Sequence, residues 1–73
     1  MIVKIQSSQF SSDGIGRCLI YDRSRRVYYE TDKRDEVEPL MKVLKGRPKA
    51  YFNAELNKEG KVIVKDEAPN QDW

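Results

Sequence analysis

The chain has 73 residues, 38% of them hydrophobic and 36% charged, and its 14 lysines and arginines against 12 aspartates and glutamates leave a formal charge of +2. Such a length supports one small domain in which nearly every apolar side chain is needed for the core, so a deep small-molecule pocket is not expected. The single cysteine excludes an internal disulfide framework, and the absence of histidine removes the commonest metal ligand and the usual acid and base of neutral pH.

No apolar run approaches the 18 or so residues of a membrane span, and the opening residues lack the apolar stretch of a secretory signal. A cytoplasmic protein without membrane contact is expected. Charge is distributed in two poles. Lys42, Lys45, Arg47 and Lys49 follow one another without an acid, and Arg23, Arg25 and Arg26 stand against Asp22, while Asp66, Glu67 and Asp72 make the end acidic.

The opening "MIVKIQ" alternates, with Val3 and Ile5 on one face and Lys4 and Gln6 on the other, which predicts a half-buried strand. In "SSQFSSDGIG" the serines, Asp13 and the glycines predict a connection, with Phe10 and Ile15 as anchors onto the core. "RCLIYD" and "RVYYETD" are two strands joined across "DRSR" as a hairpin. Cys18 and Ile20 share one face with Val27 and Tyr29 on the partner strand, and Leu19, Tyr21 and Tyr28 take the other.

Val37, Leu40, Met41 and Leu44 recur at helical spacing, with acids before the stripe and lysines after it, as the helix dipole favours. Pro39 is tolerated only near a helix start, so the helix is placed from 35 or 36 to 45, capped by Asp35 or Asp32 and stopped by Gly46 and Pro48. "KAYFNAEL" alternates again. Ala50, Phe52, Ala54 and Leu56 face inward, where the small residues leave room for the helix stripe, and Tyr51, Asn53 and Glu55 face outward. "NKEG" turns, with Gly60 supplying a positive φ, into a last strand "KVIVKDE". The expected fold is a single α+β domain over residues 1–73, a mainly antiparallel five-stranded sheet with one helix on one face in the order βββαββ.

Catalytic constellations are absent. Cys18 lies in an apolar strand with no histidine to activate it, and Asp35, Glu36 and Glu38 read as helix-start charges rather than an acid pair or metal cluster. "DGIG" lacks the length and the Lys-Ser/Thr of a phosphate loop. No enzyme, cofactor or metal is expected. Three stretches suit binding. "KGRPK" resembles the core of an AT-hook, an extended arginine-bearing segment that enters the minor groove of A/T-rich DNA, although its glycine and proline equally end a helix. Tyr21, Tyr28, Tyr29 and Tyr51 lie on strands near Arg17, Arg23, Arg25, Arg26 and Lys49, the composition of a base-stacking surface and equally of ordinary strands. The tail "EAPNQDW" ends in Trp73, which either covers the core or anchors a partner.

Read end to end, "MIVKIQSS", "LIYD", "GRPKAYFNAEL" and "EAPNQDW" resemble a group of small proteins carried by bacterial phages and plasmids, which have a GRPKAFF-like block and an APWQEW-like tail. Asn70 stands where that tail has its first tryptophan, and Asp72 replaces its glutamate. The resemblance implies a mobile-element origin and assigns no site residues. The expected function is a non-catalytic binding module that docks on, or inhibits, a host protein or nucleoprotein complex, with an anti-defence role in view. The alternative is direct nucleic-acid binding through residues 45–51 and the 23–26 turn. Candidate contact residues are Arg23, Arg25, Arg26, Lys45, Arg47, Lys49, Tyr51, Tyr28 and Trp73, in a monomer or homodimer. Self-association through an edge at "VIVK" is a third expectation, unless the first strand covers it.

Overall fold

Alternation of apolar and polar residues translates into strands β1 (Ile2–Ser8), β2 (Arg17–Asp22), β3 (Val27–Thr31), β4 (Lys49–Leu56) and β5 (Val62–Glu67), with helix α1 (Arg34–Leu44) between the third and fourth. The structure is a computed structural model that describes residues 1–8 and 16–73; the Phe10 and Ile15 anchors lie outside the described residues. All pairings are antiparallel and the sheet order is β3-β2-β1-β4-β5. This is the α+β architecture expected.

β1 is therefore the central strand, and its register sorts the side chains. Ile5 lies opposite both Ile20 and Ala50, and Val3 opposite Phe52. With Ala54 and Leu44 these residues form the core, all at least nine-tenths buried, which Leu40, Met41, Val43, Val62 and Val64 extend at its margin. The expected packing of the helix stripe on β4 is shifted: α1 approaches β2 and β1 most closely. The cause is topological, because a helix leaving edge strand β3 for β4 has to cross both strands between them.

Side chains from both ends of the strand order meet at Glu36 on this helix. Lys61, just before edge strand β5, places its Nζ 3.7 Å from Glu36 Oε1. Glu36 itself is bound to Tyr29 and Thr31 on the opposite edge. Even so, Leu56 stays 41% exposed at the far end of β4, a correction to its inward assignment, since α1 does not extend over it.

Both ends of α1 depart from the expected grammar. The N-cap is Lys33, without a side-chain cap, rather than Asp35 or Asp32. Glu36 carries the start instead: its carboxylate accepts from the Thr31 and Tyr29 hydroxyls, and Thr31 Oγ1 accepts the Lys33 N–H. Pro39 consequently sits beyond the first turn, and the Asp35 carbonyl that its missing N–H leaves free belongs to an exposed residue that water can reach. At the other end the left-handed backbone begins at Lys45, with φ 55°, and continues through Gly46, with φ 80°, one residue earlier than expected. Arg47 then closes the helix, its guanidinium donating to the carbonyls of Leu44 at 2.7 Å and Val43 at 3.1 Å.

Candidate functional site

The sheet face opposite α1 collects the aromatic residues. Pairing places Tyr28 opposite Tyr21, Tyr21 opposite Lys4, and Lys4 opposite Tyr51, so one row crosses four strands. Over it lies the tail. The Ala68 N–H donates to the Tyr51 carbonyl, Asn70 Oδ1 accepts the Asp72 N–H in a tight turn, and Asp72 takes φ 60°. These steps return Trp73 to the sheet, edge-on to Tyr21 at 5.8 Å and to Tyr51 at 5.3 Å between ring centres. Its backbone N–H donates to Tyr51 Oη at 3.2 Å, and the Tyr51 hydroxyl donates to its backbone oxygen. Tyr51 faces outward as expected, but under the tail it is only 4% exposed, a correction to its expected availability as a contact residue. Trp73 is half-buried, and its outer face carries the Arg23 guanidinium 5.9 Å from the ring centre, within cation–π range. On the same side Lys4 Nζ lies 5.8 Å from the Tyr21 ring centre.

The candidate residues thus divide. Tyr28, Trp73 and Arg23 lie on one sheet face, linked through Tyr21, which pairs with Tyr28 and packs against Trp73, and Tyr28 is 65% exposed. Arg26 is exposed at the end of the same hairpin turn. Arg25 is held by an ion pair of 2.6 Å to Asp22, which is buried and also accepts from the Ser24 hydroxyl. Burial pushes the Asp22 carboxyl up, but the Arg25 and Ser24 hydrogen bonds outweigh it and leave it below the ordinary range. Lys45 and Lys49 are exposed, and Lys49, opposite Gln6, shares the tyrosine face.

Arg47 is committed elsewhere. Besides the helix carbonyls it binds Glu67 through both carboxylate oxygens, at 2.7 and 2.9 Å, so the "KGRPK" segment has its arginine folded onto the protein. Nothing in the spacing of two residues 20 positions apart announces that pair. Asp22 and Arg25, three positions apart around a turn, were legible in principle. Of the imagined carboxylate cluster, Glu36 turns back to β3 and Glu38 pairs with Arg34 at 3.5 Å. Among the described residues no group of three or more potential metal ligands comes together. Cys18 is buried, and burial pushes its thiol up, away from the reactive thiolate. No helix of the described residues is long and apolar enough to cross a membrane.

The hydrogen bonds to Arg47 hold the Glu67 carboxyl below its ordinary range, and those from Thr31 and Tyr29 do the same for Glu36. A carboxylate depressed by folding contributes stability above its unfolded pKa and loses it as pH falls through the folded one. The urea midpoint should therefore be flat near neutrality and drop below about pH 4. Glu67→Gln should be less stable at pH 7 and show a shallower acid drop. Equal slopes for variant and wild type would show that the Arg47 contact contributes nothing.

No family model, no curated protein and no solved structure matches the chain.

Proposed function

We propose that the chain is a non-catalytic binding module whose contact surface is the patch formed by Tyr28, Trp73 and Arg23, with Arg26 at its border. The observation that carries this reading is the convergence, on one sheet face, of the residue types that dominate binding hot spots: an exposed tyrosine and a half-buried tryptophan under an arginine. A flat patch of this kind suits a macromolecular surface rather than a small molecule. The arginines favour an acidic region on a protein partner, which on the resemblance drawn above would be a host protein or nucleoprotein complex.

Direct nucleic-acid contact is the second reading, favoured by Lys4 and Lys49 on the same face. It would use that face and the 23–26 turn rather than Arg47. The two readings separate in one backbone amide NMR titration with single-stranded and A/T-rich duplex DNA, at low and physiological salt. Salt-sensitive shifts at residues 4, 23–28 and 49 support nucleic acid, because phosphate contacts release counterions. An unchanged spectrum rejects it. For a protein partner, Tyr28→Ala and Arg23→Ala should each weaken a purified complex about tenfold, or about 1.4 kcal/mol, with the fold intact. Wild-type affinity in both variants would sink the proposal.

A further inference from the structure

The sheet has two edges, and they are treated differently. β5 carries the charged run Lys65, Asp66 and Glu67 and an irregular register opposite Phe52 and Ala54, devices that discourage pairing. It is an edge because β1 lies at the centre of the sheet and does not cover it. β3 has no such protection. Val27, Tyr28 and Tyr29 are 53%, 65% and 46% exposed, beside a row of backbone donors and acceptors that no described strand pairs.

We propose that this edge pairs with a second copy of the chain, β3 against β3 in antiparallel register about a two-fold axis at Tyr29, giving a continuous ten-stranded sheet. Charge selects both the occupant and the register. With Tyr29 opposite its own copy, Tyr28 faces Glu30 and Val27 faces Thr31, and just outside the ladder the turn residue Arg26, with φ 55°, comes to the end of the partner strand where Asp32 stands, twice by symmetry. Arg26 and Asp32 are both exposed and make no ion pair among the described residues. A register centred on Glu30 would oppose two carboxylates. One centred on Tyr28 would set Arg26 against Glu30, which Arg17 already binds at 2.8 Å. Pairing β3 with β5 of a neighbour would leave the assembly open-ended, whereas β3 with β3 closes at two copies. The axis is perpendicular to the sheet, so the two Tyr28 side chains come to the same face and the proposed contact patches become neighbours. The pairing goes beyond the binding reading and does not depend on it.

Sedimentation velocity over a concentration series tests the proposal. Wild type should show a reversible monomer–dimer equilibrium. Arg26→Asp and Asp32→Arg should each weaken the dimer about tenfold, and the double reversal should restore it. Register is read by cysteine crosslinking under mild oxidation, since residues directly opposite place their Cβ atoms about 5 Å apart. Tyr29→Cys should give a covalent dimer, Tyr28→Cys and Glu30→Cys alone should not, and a mixture of those two should. The buried Cys18 leaves wild type as the blank. A wild-type monomer at every concentration, charge reversals without effect, or crosslinking indifferent to position would overturn the pairing. Arg23 lies outside the paired strand, so loss of partner binding in Arg23→Ala with the dimer intact separates the two proposals.

Discussion

Leu44→Ala should lower the unfolding free energy by about 3 kcal/mol, the cost of deleting a fully buried leucine and leaving a cavity that its neighbours fill only in part. Leu44 is wholly inaccessible in the last turn of α1 and belongs to the core cluster that also holds Ile5, Ala50 and Phe52. A domain of 73 residues has roughly 4–11 kcal/mol to lose, at about 0.05–0.15 kcal/mol per residue, so the variant should be marginal at 37 °C. Leu56→Ala provides the contrast. Pattern assigns both leucines to the interior, Leu44 by the helical stripe and Leu56 by strand alternation, but Leu56 is left 41% exposed and should cost under about 1 kcal/mol. Urea unfolding followed by far-UV circular dichroism measures both. Similar losses at the two positions would show that the helix covers the sheet more evenly than the structure has it.

Trp73→Ala should cost about 2 kcal/mol, less than a fully buried aromatic but more than an exposed residue of a tail. The indole covers Tyr21 and Tyr51 edge-on, and its backbone N–H and oxygen satisfy the Tyr51 hydroxyl, which lies on an otherwise buried side chain. Truncation keeps those backbone groups, so its cost comes from the apolar ring area it exposes and from the looser seating of the tail. Tyr51→Phe should cost about 1 kcal/mol by removing the hydrogen bonds while keeping the ring. As the only tryptophan, Trp73 also reports on itself. Its emission should be blue-shifted in the folded protein and move red on unfolding together with the dichroism signal. A solvent-like spectrum and unchanged stability in Trp73→Ala would mean that the tail is not docked, and would leave the whole indole available to a partner. With the tail docked, a partner meets only its outer face, together with Arg23 and Tyr28.

These two positions show where reading from residues reaches and where it stops. The strands, the helix and their order follow from periodicity, because a period of two or of 3.6 is a property of neighbouring residues and survives without knowledge of the rest of the chain. The faces of β2 and β3 and the positive φ of Gly60 follow for the same reason. Tyr51 does not. Its outward position on β4 is correct by alternation, yet it is buried, because a tail 22 residues later turns back over it. Arg47 is the same case in reverse: a basic residue in a helix-stop motif looks available until the fold brings Glu67 to it.

Composition and pattern determined by themselves that this is a small α+β domain with an antiparallel sheet, one amphipathic helix, and no disulfide framework or histidine chemistry. The tertiary structure alone decided that β1 is central, that α1 crosses β2 and β1, that Arg47 and Tyr51 are occupied internally, and that Tyr28, Trp73 and Arg23 share one surface. The division has a physical reason. Local periodicity is set by backbone geometry and the burial of adjacent side chains, whereas strand order and surface availability depend on contacts between distant segments. Those contacts are selected by the joint burial of the whole core.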